Sequence, residues 1–535
     1  MCMLSMNKYR LWAIVACALS LTALSSCKSD LLDLKPIDHY GTNNYWNNHA
    51  QVEANYQALN GILRGNYSVF RAFGELRAGT MKFTVSATGE SQSSVEVKQS
   101  VLDADRPGLL NWGGLYGDLL HINLFIKKVE TQCPFLTDAE RKTYLGKAYG
   151  IRAYIYFVLY KSYGGVVLET EPRVAEEAIT DPTSYHKARS SAEETLDFIK
   201  KDVEKSSELL VTSPWKSIKT EWSRAATELL KAEVYLWSAK VTTGNHTATG
   251  EADLRKAKTA LEGIVGSQAF ELEDKFAANF DAKKKNGKEI ILNLYFDRQE
   301  ATNDYGHYMY QNRLFVGSAR DKDGVLFPGD TLKAMSTGIL YNEYKPSFVA
   351  SFDEDDTRRS ATFFEFTVGT PGNLLPGSVF LKYQGQLYSD NAHIYDSNVI
   401  LYRYADVLLL LAEVKNALGE DPSTELNLIR KRAFGNKFAG HEFVSGDFAA
   451  NELAILKERD HEFAGEYKRW YDLLRLQDAS KQPLVFSPAA AYSDDHLTGA
   501  APTPILKTTE RQKLLWPVDR TVLNNDPLIK QTEGY

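Results

Sequence analysis

Residues 49–64 place Val52, Tyr56, Leu59 and Leu63 three or four positions apart, with polar residues between them. That period predicts an amphipathic helix with one apolar face. The same period predicts helices over 111–130, 190–210, 222–240 and 252–264. Thr137, with Glu140 three residues later, forms a capping box for a further helix. That helix runs through GIRAYIYFVLYKSY and stops at Gly164-Gly165. From residue 290 the texture changes to loops and short strand-like runs such as IILNLYF. Helical periodicity returns over 400–419, 424–434 and 449–477, and a proline-punctuated tail closes the chain. Ala148, Ala153, Ala225, Ala226 and Ala232 sit among large aromatics in these helices. Small residues let neighbouring helices approach closely while rings fill the gaps. Paired helices of this kind suit a helical-repeat solenoid, yet no clean period of about 34 residues is legible. An irregular bundle fits the pattern equally well.

The N-terminus follows a different logic. Lys8 and Arg10 precede Leu11–Leu24, which is apolar or small throughout, and Leu24-Ser25-Ser26-Cys27 ends the run. This is the layout of a secretory signal with a cysteine at the cleavage point. The run is shorter than the ~20 residues a helix needs to span a bilayer, so removal is expected rather than retention as an anchor. The four residues resemble a bacterial lipobox, which implies that Cys27 becomes the lipidated first residue. Of the four cysteines, Cys2 and Cys17 lie in the segment to be removed. A lipidated Cys27 leaves Cys133 without an intramolecular partner and excludes a disulfide framework.

Composition narrows the function classes. At 44% hydrophobic and 24% charged, the chain has ample material for a large core. No Pro/Gly/Ser-rich linker divides it, which predicts a single domain after the signal. The net charge of −7 becomes −9 once Lys8 and Arg10 are lost. Such a balance argues against nucleic acid or other polyanions unless a local basic patch compensates. Aromatics make up 12%, with 29 tyrosines, and rings left over from the core can grip a sugar face or a peptide.

Catalytic motifs are absent. His441-Glu442 and His461-Glu462 begin like a zinc-protease helix but lack the second histidine. Gly287-Lys288 lacks the earlier glycine of a P-loop, no G-x-S-x-G occurs, and Cys133 precedes Pro134 with no histidine nearby. A carboxylate pair for glycoside hydrolysis stays open, because its spacing is set by the fold. Within 400–419, Arg403, Asp406 and Glu413 interrupt an apolar surface. Buried charges need partners, and Arg430, Arg432, Glu458, Arg459, Glu462, Arg469 and Asp472 are candidates for an ion-pair network locking the C-terminal helices. The acidic run Asp353–Asp356, followed by Arg358 and Arg359, reads as structural, with a calcium site as the alternative.

Six segments, in order, resemble the SusD/RagB family of Bacteroidetes outer-membrane lipoproteins. They are Cys27–Pro36, IRAYIYFVLYKSYGGV (151–166), LYRYADVLLLLAEVKNALG (401–419), LNLIRKRAF (426–434), LKERDHEFAGEYKRWYDLLRL (456–476) and WPVDRTVLNNDPLIKQTEGY (516–535). Val167 stands where the family usually has proline, and Ala464-Gly465-Glu466-Tyr467 departs from its usual glycine placement. The resemblance implies a mostly α fold, a TPR-like helical-repeat scaffold with an irregular loop-rich cap and short strands. It implies a signal peptide over 1–26 and one domain over 27–535. That domain divides into an N-terminal helical part to about 280, a cap to about 400, and C-terminal helices and tail. It implies a surface lipoprotein that captures oligosaccharides and delivers them to a TonB-dependent, SusC-like outer-membrane transporter. Such a protein is not an enzyme and needs no cofactor or metal. Lys28-Ser29-Asp30 is similar to a short surface-export signal. A peptide-capture lipoprotein on the same scaffold is the first alternative, and a glycan-processing enzyme the second.

Sugars are gripped by stacking on rings, with planar polar side chains holding hydroxyls. Two loop regions combine these residue types. One holds Tyr67, Phe70, Arg71 and Phe73. The other holds Asn303, Asp304, Tyr305, Tyr308, Tyr310, Asn312 and Arg313, where alternation points Tyr308 and Tyr310 to one side of an extended segment. Packing of these rings onto the helical core is the competing account, and it weighs more heavily for Trp46 and Trp112 at helix starts.

Overall fold

The computed structural model describes residues 45–89, 91–108, 112–177, 179–306, 317–332, 340–493 and 501–535. The signal segment, Cys27 and Lys28–Asp30 lie outside them. The described chain is mostly helical. Its first half carries α1 (His49–Gly65), α2 (Tyr67–Arg71, continued by a π-helical turn Ala72–Leu76), α3 (Gly113–Thr131), α4 (Asp138–Tyr163), α5 (Ala192–Leu209), α6 (Arg224–Lys240) and α7 (Glu251–Gly266).

The centre of this half is α4. Thr137 and Glu140 close the expected capping box at its start, and Gly164, at φ +73°, ends it with its N–H donated to the Tyr160 carbonyl. Ile151 to Tyr163 is buried on all sides except at Tyr154, because α1, α3, α5 and α6 all pack against this helix. A helix surrounded in this way needs no polar face. Its one buried guanidinium, Arg152, is paired to Asp202 at 2.7 Å and to Asn123 at 2.8 Å. The five alanines singled out above are fully buried between helices. Gly150 shows how tight the approach is, since a Cβ there would lie 2.0 Å from Trp222 Nε1.

Strand β1 (Ile290–Leu294) then crosses to the second half. It pairs antiparallel with β4 (Val399–Arg403), Ile290 opposite Arg403 and Leu294 opposite Val399, and both strands are wholly buried. Between them, β2 (Phe363–Thr370) and β3 (Asn373–Phe380) form a hairpin closed by Pro371-Gly372, with Gly372 at φ +92°. Proline followed by a positive-φ glycine suits a type II turn. Ala319, Phe366 and Val379 make a small second core under this hairpin, apart from the main one.

The C-terminal helices are α8 (Tyr404–Ala417), α9 (Ser423–Phe434), α10 (Phe448–Phe463) and α11 (Arg469–Arg475). Two differences from the periodicity stand out. The helix expected from 400 starts at Tyr404, because Val399–Arg403 is held extended by β1. The helix expected over 449–477 is broken at Ala464–Lys468, where Gly465 and Tyr467 adopt positive φ of 74° and 63°.

The cause of the break is electrostatic. Glu466 turns inward to meet Arg403 at 2.9 Å and Lys382 at 2.8 Å. Arg403 also reaches Glu289 at 2.6 Å and Glu462, and Glu462 accepts further bonds from Arg432 and, at 3.1 Å, from Arg358. The side chains of Arg403, Glu289, Glu462, Glu466 and Lys382 are fully buried. Burial alone would raise the two carboxylates, but the surrounding cations hold Glu462 and Glu466 below the usual range. Burial pulls Lys382 down to about 8. A second network ties Glu413 to Lys240 and Arg475, both at 2.8 Å, and Lys240 to Glu452 at 2.7 Å. Asp406 pairs with Lys468 and Arg459 with Asp472.

Replacing Arg403 by alanine leaves three buried carboxylates short of a partner. The expected cost is ~3–5 kcal/mol in chemical denaturation. The exposed pair Arg520–Asp105 provides the contrast, since Arg520→Ala is expected to leave the denaturation midpoint unchanged.

His461 generates a pH prediction. Burial first, and the Arg358 guanidinium second, push its imidazole down to about 4, while its ring stacks on Phe352 at 4.1 Å. The unfolded chain takes up this proton near pH 6.5 and the folded chain does not. Stability is therefore complete above pH 6.5 and is lost as pH falls towards 4, by up to ~3 kcal/mol for this group. His461→Phe keeps the stack and is expected to flatten that part of the stability-versus-pH curve, read by urea denaturation across the range.

Candidate ligand-binding site

The two ring-rich clusters of the sequence meet in space. Arg71 on α2 donates from both terminal nitrogens to Asp304, Nη1 to Oδ1 and Nη2 to Oδ2, each at 2.9 Å. The Tyr67 hydroxyl donates to Asp304 Oδ1 and accepts the Asp304 backbone N–H at 2.8 Å. A bidentate pair of this kind adds geometric specificity to its energy. Burial works against the Asp304 charge, but the Arg71 bonds hold its carboxylate below the ordinary value. The Tyr67 phenol moves the other way, raised by burial and by the Asp304 charge. Asp304 is thus a brace that fastens the start of the second loop to α2, and its oxygens are already engaged.

Around this brace the rings face inward. Tyr305 is 1% exposed, lies under the Arg71 guanidinium at 4.9 Å, stacks near Phe380 and donates its hydroxyl to the Gly465 carbonyl at 2.8 Å. Asn303 is buried, with its amide donating to the Ser397 carbonyl at 3.0 Å. Phe70 meets Tyr154 edge to face, and Phe73 wedges between Tyr163 and Trp516. Phe70, Phe73 and Tyr305, expected above as ligand contacts, leave no ring face open in this structure. The physical reason is that Tyr67–Leu76, expected as a loop, is the helix α2, pinned between α4 and the C-terminal tail so that Phe70 and Phe73 join the core, while Tyr305 is enclosed by Phe380, Tyr383 and the Gly465 carbonyl. Trp46 and Trp112 are also buried. Tyr308, Tyr310, Asn312 and Arg313 lie outside the described residues.

What remains at the surface is a polar and aromatic rim on the segment that leads to the brace. Tyr67 is half-buried, with its edge against Phe296 at 5.3 Å. The next ring out, Tyr295, is 40% exposed, because the alternation that ends β1 turns Phe296 in and Tyr295 out. Arg64 donates to the Tyr295 carbonyl and pairs with Glu300. Arg298 lies over the Tyr388 ring at 4.7 Å and pairs with Asp390. Tyr295, Arg298 and Tyr388 are not among the candidates the sequence suggests. Tyr295 is legible there as the outward member of an alternating pair, whereas Tyr388 reaches this rim only through the fold.

The acidic run behaves as a structural element. Asp356 caps the short helix Thr357–Thr362 and pairs with Arg358 at 2.7 Å. Asp353, Asp355 and His441 bring one donor atom each within 4.8 Å of one another, but Asp355 is already paired to Lys437. Three donors with one engaged make a thin set for a cation.

Known proteins supply the context for this geometry. A model described as the SusD family matches residues 377–535, and one described as starch-binding associating with outer membrane matches residues 33–236. No helix among the described residues is long and apolar enough to cross a membrane. SusD-like protein P38 of Formosa agariphila is 25% identical over 97% of both chains. Among solved structures, a SusD superfamily protein of Bacteroides fragilis superposes with a TM-score of 0.82 at 35% identity, over 92% of this chain and all of that one. NanU of B. fragilis follows at 0.78 and 31% identity, over 94% of this chain and all of its own. The surface glycan-binding protein A of Bacteroides uniformis shares the fold at 0.67 and 20% identity, over 91% of this chain and 99% of its own. With a third of its residues identical to a SusD superfamily structure along nearly its whole length, the chain belongs to the SusD family.

Proposed function

We propose that the protein is a lipid-anchored, surface-exposed outer-membrane protein that captures an oligosaccharide and passes it to a SusC-like, TonB-dependent transporter. The observation that carries the reading is the match of residues 33–236 to a model for starch-binding proteins associated with the outer membrane. The site chemistry agrees with capture rather than turnover. Both oxygens of Asp304, the carboxylate at the centre of the candidate site, accept bonds from Arg71 or Tyr67, and the Arg71 bonds hold it below its ordinary value, which makes it a weak base. The rim of Tyr67, Tyr295, Arg298 and Tyr388 supplies rings beside a planar donor, and the sequence candidates Tyr308, Tyr310 and Arg313 follow Asp304 in the chain. Rings and planar donors are the two elements that hold a sugar ring.

Affinity gels loaded with a panel of polysaccharides, followed by calorimetry on any hit, test the reading. The expected result is retention of at least one glycan that stays intact on incubation. Chain shortening would favour an enzyme, and an empty panel would favour peptide capture. Tyr308→Ala is expected to weaken glycan binding. Phe70→Ala, by contrast, is expected to cost ~3–5 kcal/mol of stability, because its ring is core. For the anchor, Cys27→Ala is expected to move the protein from the membrane to the soluble fraction, and unchanged fractionation would sink the lipid assignment.

A further inference from the structure

A cleft of about 1250 Å³ opens where the C-terminal ends of α4, α6 and α11 meet the start of α5 and the closing segment of the chain. Five cationic residues line it, Arg189, Lys240, Lys481, Arg511 and Lys530, against one acidic residue, Glu533. Lys240 is neutralised from behind by Glu413 and Glu452. The other four make no ion pair among the described residues. Arg189 donates to the carbonyls of Gly165, Tyr163 and Lys530, all neutral acceptors. Lys481 lies 3.0 Å over the Phe448 ring. Arg511 donates to the Gln482 side-chain carbonyl at 2.8 Å, and Lys530 Nζ to the Pro527 carbonyl at 3.4 Å.

This is unusual for a chain of net charge −7 in which the buried cations described above are met by carboxylates. Like charges gathered on a concave wall repel one another, and the low-dielectric surroundings focus their field into the cleft. The arrangement is favourable once an anion enters. Arg189 is held by three carbonyls rather than by an acid, so its charge is positioned without being cancelled.

We propose that this cleft is a docking site for an acidic peptide segment of a partner protein. Charge complementarity calls for carboxylates, and the lack of an open ring face selects a peptide over an acidic glycan. The only rings among the described lining residues, Tyr163 and Trp237, are 5% and 2% exposed, so no face is available for stacking a sugar. The remaining lining is rich in amides and hydroxyls, among them Thr242, Asn245, Gln477 and Gln512, which suit main-chain donors and acceptors. The volume also exceeds the ~300–1,000 Å³ of ordinary small-molecule pockets and fits an extended stretch of residues. The site is separate from the glycan rim and stands whether or not that reading holds.

The test is calorimetry of the full chain with a hexaglutamate peptide. The expected result is saturable 1:1 binding that weakens at least tenfold as salt rises from about 50 to about 500 mM. Arg511→Gln combined with Lys481→Gln removes two exposed charges without touching the core, so the melting temperature is expected to hold. That double variant is expected to lose about tenfold in affinity. Arg520→Gln, an exposed arginine outside the lining, is expected to change nothing. Absence of hexaglutamate binding, equal binding by the double variant, or binding of an oligogalacturonate in place of the peptide would each overturn the proposal.

Discussion

Glu462 and Glu466 are carboxylates without access to water, and Arg403, Arg432, Arg358 and Lys382 converge on them. An unpaired charge at that depth costs several kcal/mol, so each neighbouring segment must deliver a cation at one position. That requirement accounts for features that look unrelated. Arg403 sits at the end of a buried strand, held in place by β1. Glu466 is reached only because the chain breaks between α10 and α11, with Gly465 packed under Phe380 where a Cβ would lie 2.3 Å from the ring. Tyr467 takes a positive φ beside it, a strained choice that the surrounding bonds over-determine. The network therefore sets where the strands end, where the helix stops and how the last helices stack.

Much of this is legible in the residues themselves. The helices of the first half follow from their periodicity and from the Thr137 and Gly164 signals, which are local and strong. That Arg403 and Glu413 need buried partners is also legible, because a charge inside an apolar run is stable only when an opposite charge meets it. What cannot be read is the pairing. Glu413 finds Lys240 from the first half of the chain and Arg475 from the last helix, and separations of that length leave no local trace. The β2–β3 hairpin is different, because Thr-Pro-Gly-Asn is a local turn signal, whereas Pro376 and Gly377 inside the second strand weaken its strand signal. The turn is visible in the sequence, while the strands on either side of it belong to a stretch that reads as loops and short strand-like runs.

The candidate site shows why aromatic content is ambiguous. Tyr67 and Phe70 stand three residues apart on one short helix, yet one reaches the rim and the other fills the core. Composition cannot separate them, since both are rings beside Arg71. Only the docking of α2 against α4 and Trp516 decides which face is covered. The joining of Arg71 to Asp304 is likewise outside the reach of sequence, although both residues stand out for their chemistry. They belong to one brace rather than to two separate contacts.

Lys240 has a consequence that lies in time rather than in space. Its two carboxylate partners follow it by 173 and 212 residues. A chain made from its N-terminus presents the end of α6 long before either partner exists, and closing loops of that length is entropically slow. Until α8 and α10 arrive, this charge opposes burial, and the early helices cannot seal as a finished unit. The ammonium that locks the two halves together is therefore matched by these partners only when the second half of the chain is present.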